Sequence, residues 1–318
     1  MARRDALPAA LAALSALDPG APEAVGHLRS ALKNRSSHVV ARAAEIIGRA
    51  RLEGFDAAML SAMERFYQDP VRTDPSCAAK LALLRALDQL DHTDNKPFLR
   101  ASAHIQLEPA WGPPVDTAAS LRACAIRALG RSVNDESLMV LGTALADDTP
   151  PVRRAAIEAI LHRGDAAGAA LLSLRARFLD EDPIVRAECL AAMVRLAPEH
   201  GLRQLVPMLE GSDPVEQELA ALALGESRNP DALQALIEWL DRSILSDQRA
   251  VGIVAIGAHR SEAARSFLLE LVEEAGHTDA VQALTALVRQ GVSESILVEA
   301  IADRPELEPA LQSEINSL

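Results

Sequence analysis

Large apolar residues fall along this chain in short blocks separated by turn residues, and the blocks resemble one another. Segments beginning at Val39, Ala79, Leu121, Val152, Val185, Glu216, Gln248 and Ala280 stack without internal gaps, at spacings of 40, 42, 31, 33, 31, 32 and 32 residues. Seven residues into each stand Ile46, Ala86, Ala128, Ala159, Ala192, Ala223, Ala255 and Leu287, six of the eight being Ala. The next column reads Ile47, Leu87, Leu129, Ile160, Met193, Leu224, Ile256 and Val288, all large and apolar. A small residue beside a large one at a fixed helical position is what stacked helices need when their axes approach closely. The period therefore predicts a repeat array instead of two ordinary domains.

The punctuation agrees with the period. Thr149-Pro150-Pro151, Asp182-Pro183 and Asp213-Pro214 precede three of these helices, with Ser36-Ser37 and Thr278-Asp279 at two more. Asp, Ser or Thr caps free backbone N–H groups, and Pro fits the first helical position, where its missing N–H costs nothing. Ahead of each turn lies another helical pattern, as in 23–33, 136–146, 202–209 and 231–240. The predicted unit is helix, turn, helix.

Residues Asp182-Pro183-Ile184-Val185-Arg186-Ala187-Glu188-Cys189-Leu190-Ala191-Ala192-Met193 reproduce most of a D-P-x-V-R-x-x-A-x-x-A-L signature. The chain thereby resembles HEAT repeats of the short phycobilisome-lyase-like variety, over roughly residues 23–291. The resemblance implies an all-α fold, a right-handed α-solenoid (an alpha-alpha superhelix of armadillo type) of about eight helix pairs with capping helices. It also implies a ladder in which a turn Asp bonds an Arg six residues later. The matching pairs here are Asp74/Lys80, Asp116/Arg122, Asp147/Arg153 and Asp180/Arg186, after which Gly211/Gln217, Ser243/Arg249 and Ala275/Val281 break the pattern.

The two long spacings mark insertions. One lengthens the turn 68–75; the other, 91–117, carries Pro109, Pro113 and Pro114 beside Trp111, so its second half cannot continue as helix. Insertions in solenoids fall on one face and often bind. The expected organisation is an N-terminal capping helix in 1–22, a repeat array over 23–292 and polar capping helices in 293–318.

Composition narrows the function. Only eight aromatics are present, and 32 basic residues against 45 acidic give a net charge of −13, which disfavours nucleic acid. Between 261 and 318 stand eleven acidic residues and three Arg, so a partner at that end is expected to be basic. Cys77, Cys124 and Cys189 form neither a disulfide framework nor a zinc pair, and a reducing, cytoplasmic setting is expected. The Leu7, Leu11, Leu14 and Leu17 stripe is read as a capping helix in preference to a signal peptide, and no apolar run reaches membrane-spanning length.

Enzymatic readings find little support. Deoxyhypusine hydroxylase, built from the same repeats, ligates iron through His-Glu dipeptides, and none of the eight His here precedes Glu. A scattered metal site, a bilin-lyase-like groove or another ligand site near the insertion remains the alternative. The leading expectation is a non-enzymatic scaffold that binds a protein or peptide through its concave groove and the insertion, with no cofactor. Candidate binding residues are Trp111, His104, Glu108, Arg85, Arg127 and Arg154. Trp111 suits an exposed anchor, but pinning of the insertion onto the solenoid is favoured. His104 and Glu108, four apart and placed on one helical face by that spacing, are read as a solvated or hydrogen-bonded pair in preference to a ligand pair. Groove columns are expected to be charged early (Glu45, Arg85, Arg127, Glu158) and smaller and more apolar later (Ala187, Ala191, Glu218, Leu222, Ala250, Val254, Gln282, Ala286).

Overall fold

Second helices of the repeat start where the sequence places their caps. The Asp182 carboxylate accepts from the Ile184 and Val185 N–H groups at 2.9 and 3.3 Å, and Asp213 accepts from Val215 at 2.9 Å, each with Pro in the first turn. One start differs. The last such helix begins at His277, so Asp279 lies inside its first turn and its carboxylate is free to serve a different partner.

The computed structural model describes residues 6–177 and 182–317, and among them are twenty α-helices. The chain divides into two compact units, 1–163 and 164–318. In the first, α1 (Ala6–Ser15) precedes four pairs: α2 (Ala24–Leu32) with α3 (Ser37–Arg49), α4 (Asp56–Tyr67) with α6 (Ala78–Gln89), α7 (Lys96–Ser102) with α8 (Ala119–Leu129), and α9 (Asp135–Ala144) with α10 (Pro150–Arg163). The single turn α5 (Pro70–Thr73) occupies the first insertion. The second unit holds α11 (Ala166–Ala176) with α12 (Pro183–Leu196), α13 (Pro198–Leu209) with α14 (Pro214–Ser227), α15 (Pro230–Arg242) with α16 (Ser246–His259), and α17 (Glu262–Glu274) with α18 (His277–Arg289). It closes with α19 (Glu294–Ala300) and α20 (Glu308–Asn316).

Second helices pack on second helices: α3 on α6 and α8 on α10 in one unit, α12 on α14, α14 on α16 and α16 on α18 in the other. Both columns read from the sequence lie in these contacts, and every member is buried. Each unit is thus an all-α stack of helix pairs of α-solenoid type. The close approach extends two residues past the Ala column, where Gly48, Gly130, Gly225 and Gly257 stand; a Cβ on Gly130 would lie 2.7 Å from the Ala159 methyl. Helix α1 packs on α3 with Leu14 buried.

One departure from all-α structure occurs in the second insertion. Strands β1 (Leu107–Ala110) and β2 (Gly112–Asp116) form an antiparallel hairpin, with Leu107 opposite Asp116 and Glu108 opposite Val115. Three prolines exclude helix here, and Gly112, at φ 126, takes a turn conformation that a side chain would disfavour.

Candidate functional site

The base of the hairpin is a buried polar cluster, assembled from both insertions. Asp74 and Lys80 have no exposed side-chain surface and pair at 2.9 Å. Asp74 also accepts from the Ala79 and Lys80 backbone N–H groups at 2.7 and 3.1 Å, and the Lys80 ammonium donates to Phe66 O at 3.4 Å and Gln106 Oε1 at 3.0 Å. Charges this deep persist only when paired and hydrogen-bonded, as both are. Between them the chain turns through Ser76 and Cys77, both at positive φ.

Gln106 is the hub that the sequence did not reveal. It is nearly fully buried, and its amide donates to Asp74 O at 2.9 Å and Glu108 Oε1 at 2.7 Å. Its Oε1 also meets Cys77 Sγ and His104 Nε2, each at 3.2 Å, while its backbone N–H donates to Asp116 Oδ1 at 3.0 Å. Nothing in the local pattern marks a Gln between Ile and Leu as a hub, because its partners lie up to 32 residues away.

His104 and Glu108 are brought together, but not on a helix. Glu108 lies on β1 and His104 precedes it, and Gln106 bridges them. The proline-bearing strand has replaced the helical spacing. Glu108 further accepts from Ser76 N–H at 2.6 Å and Thr117 Oγ1 at 2.8 Å; burial pushes its carboxyl up, but the bonds from Ser76, Gln106 and Thr117 together outweigh it and hold the carboxyl below the usual range. Burial lowers the His104 imidazole and pushes the Cys77 thiol up to about 11, so Cys77 is a poor nucleophile. The Tyr67 ring stands edge-on to His104 at 5.0 Å and carries the Arg100 guanidinium 3.9 Å above it. Burial raises the Tyr67 phenol well above its ordinary value.

Trp111 sits at the tip of the hairpin with a relative exposure of 109%. It does not pin the insertion, contrary to the favoured expectation; the cluster around Gln106 does that. Ile105, Leu107 and Val115 are exposed as well. Pro109, Pro113 and Pro114 remove N–H donors from the strands, so the hairpin's edges are poorly suited to pairing with a further strand.

The ladder runs further than the Asp/Arg spacing indicated. Arg122 joins Asp116 at 2.5 Å to Asp147 of the following turn at 2.8 and 3.1 Å. Arg153 donates to the Asp147 and Asp148 carbonyls. Asp180 lies outside the described residues, and Arg186 Nη2 donates to both carboxylate oxygens of Glu216 at 2.7 and 2.9 Å. At Gly211/Gln217 and Ser243/Arg249 the expected lapse is not a gap: Gln217 bonds Gly211 O and is met by Gln248, and Arg249 bonds Ser243 O and reaches Asp279 at 2.6 Å. Where the turn lacks Asp, its carbonyl accepts from Gln217 or Arg249, which Gln248 or Asp279 of the following helix then meets; at Ala275/Val281 the pairing does lapse, and Ala275 O accepts from Arg304 instead.

The remaining candidates lie on exposed faces of second helices. Arg127 pairs with Glu158 at 2.5 Å, Arg154 is exposed, and Arg85 lines a cleft of about 550 Å³ between α3 and α6. In the second unit a cleft between α12 and α14 is lined by Ile184, Ala187, Val215, Leu219 and Leu222 together with Arg186, Glu188, Glu218 and Glu226, a more apolar surface but one that still carries charge. Among the described residues no group of three His, Cys, Asp or Glu could hold a metal ion, and no helix is long and apolar enough to cross a membrane.

No curated protein matches the sequence. Among solved structures, the complex of CpcE and CpcF of phycocyanin lyase from Nostoc sp. PCC7120 is similar at 16% identity, over 94% of this chain and 95% of that one, with a TM-score of 0.35. An engineered protein is similar at 17% identity, over 91% and 86%, with a TM-score of 0.33. Residues 115–193 and 169–257 match the HEAT repeats family. Over residues 115–257 the helix pairs, with their buried Ala column and Arg-linked turns, are HEAT repeats, and the chain contains a run of them.

Proposed function

We propose that this chain is a non-enzymatic protein-interaction scaffold that takes a protein or peptide partner on the exposed faces of its second helices and on the 91–117 hairpin. The observation that carries this reading is Trp111, wholly exposed on a hairpin whose base is fixed by Asp74, Lys80, Gln106 and Asp116. A large apolar side chain held in water at the tip of an anchored element costs solubility and contributes nothing to folding; as an interface anchor it supplies contact area with little loss of freedom.

Affinity capture followed by mass spectrometry tests this, with wild-type chain and Trp111→Ala compared side by side. The expected result is a partner recovered by wild type and depleted with the variant, at an unchanged helical circular-dichroism signal. Equal recovery by both would remove the hairpin from the interface. Stoichiometric iron or zinc in the purified protein would overturn the scaffold reading.

A further inference from the structure

The sign of charge reverses locally in the first unit. The chain carries a net charge of −13, yet the cleft between α3 and α6 is walled by Arg42, Arg49 and Arg85 against the single carboxylate of Glu45. Glu45 is engaged by Arg42 at 3.1 Å. Among the described residues Arg49 and Arg85 make no ion pair, and both are exposed. The floor is apolar, made by Leu11, Ala41, Ala78, Leu81 and Ala82. Self-repulsion among acidic residues cannot explain cations gathered at one place, and arginines around an apolar floor match a ligand with carboxylates on one side and aliphatic groups on the other.

We propose that this cleft binds an acidic amphipathic peptide segment of a partner protein, with Arg49 and Arg85 pairing its carboxylates and the Leu11–Leu81 floor taking its apolar side. The proposal rests on the scaffold reading and names the chemistry of one partner surface. Nucleic acid fits less well. No Trp, Tyr or Phe lines the cleft for base stacking, where His38 is the one ring, the neighbouring Arg127 and Arg131 are already paired with Glu158 and Asp88, and the chain as a whole repels phosphate.

Fluorescence anisotropy on the full chain tests it. The probes are a labelled helical peptide with Glu on one face and Leu on the other, the same peptide with Gln replacing Glu, and a labelled single-stranded DNA. The acidic peptide should bind at least about tenfold more tightly than its Gln counterpart, and added salt should weaken it. The double variant Arg49→Gln/Arg85→Gln should lose about tenfold, with Arg49→Lys/Arg85→Lys losing less. No binding, equal binding of the Gln peptide, full binding by the Gln double variant, or tighter binding of DNA through the same arginines would each overturn the proposal. If it fails while Trp111→Ala still depletes the captured partner, the scaffold reading survives without it.

Discussion

The backbone of Gly130 lies so close to Ala159 that a Cβ on the glycine would stand 2.7 Å from the Ala159 methyl and 2.8 Å from its Cα. Helices α8 and α10 meet there with no room for a side chain between them, and the same fit recurs where Gly225 faces Ala255. Repeat spacing in this protein is set by absent atoms as much as by apolar ones.

Enlarging that contact should cost stability. Ala159→Leu and Ala192→Leu, each at a fully packed position, are expected to destabilise by about 1–3 kcal/mol because the neighbouring helix must move. Urea midpoints measure this, and Gly130→Ala should shift in the same direction. Unchanged midpoints for both leucine variants would contradict the packing described.

Lys80 and Asp74 should behave as one unit. Lys80→Met strands a buried carboxylate and is expected to cost about 3–5 kcal/mol. The double variant Lys80→Met/Asp74→Asn, which removes both charges and keeps an acceptor for the Ala79 N–H, should recover much of that loss. Melting curves of these two variants and of Asp74→Asn alone decide it; additive losses would show that the pair is not coupled.

Acid should loosen the Arg122 junction. Burial pushes the Asp116 and Asp147 carboxyls up, but hydrogen bonds outweigh it: Ala118 and Gln106 N–H with Arg122 on Asp116, Arg122 with Thr149 on Asp147. Both carboxyls are held below the ordinary range. The unfolded chain therefore takes up these protons first. Their stabilisation is complete above about pH 4 and is lost as pH falls through the lower folded values. Unfolding midpoints between about pH 6 and about pH 3 should fall for wild type. Arg122→Met should start lower and fall less steeply.

Trp111 can be observed alone once Trp239, buried in α15, is replaced by Phe. Its emission should be red-shifted and readily quenched by acrylamide, and Trp111→Ala should leave stability within about 0.5 kcal/mol of wild type. A blue-shifted, protected emission would place the ring against protein and remove it as an anchor.

How much could be read without coordinates follows from the range of each interaction. The helix pairs, the Ala column and the Asp and Pro caps repeat within a single helix or turn, so the linear pattern contains them. The Asp74/Lys80 and Asp116/Arg122 pairs were legible too, since six residues separate each and the fold family supplies the geometry. Proline density showed that 109–114 is not helical, but a strand and a loop are equally compatible with proline. The turn at Gly112 and the register of Glu108 opposite Val115 decided for a hairpin and sent Trp111 into solvent. Gln106 draws on partners from the preceding insertion, and Arg249 finds Asp279 30 residues on. Such contacts leave no periodic trace: sequence alone determined which helices form and which faces they bury, while tertiary structure decided which polar groups meet once those faces are in contact.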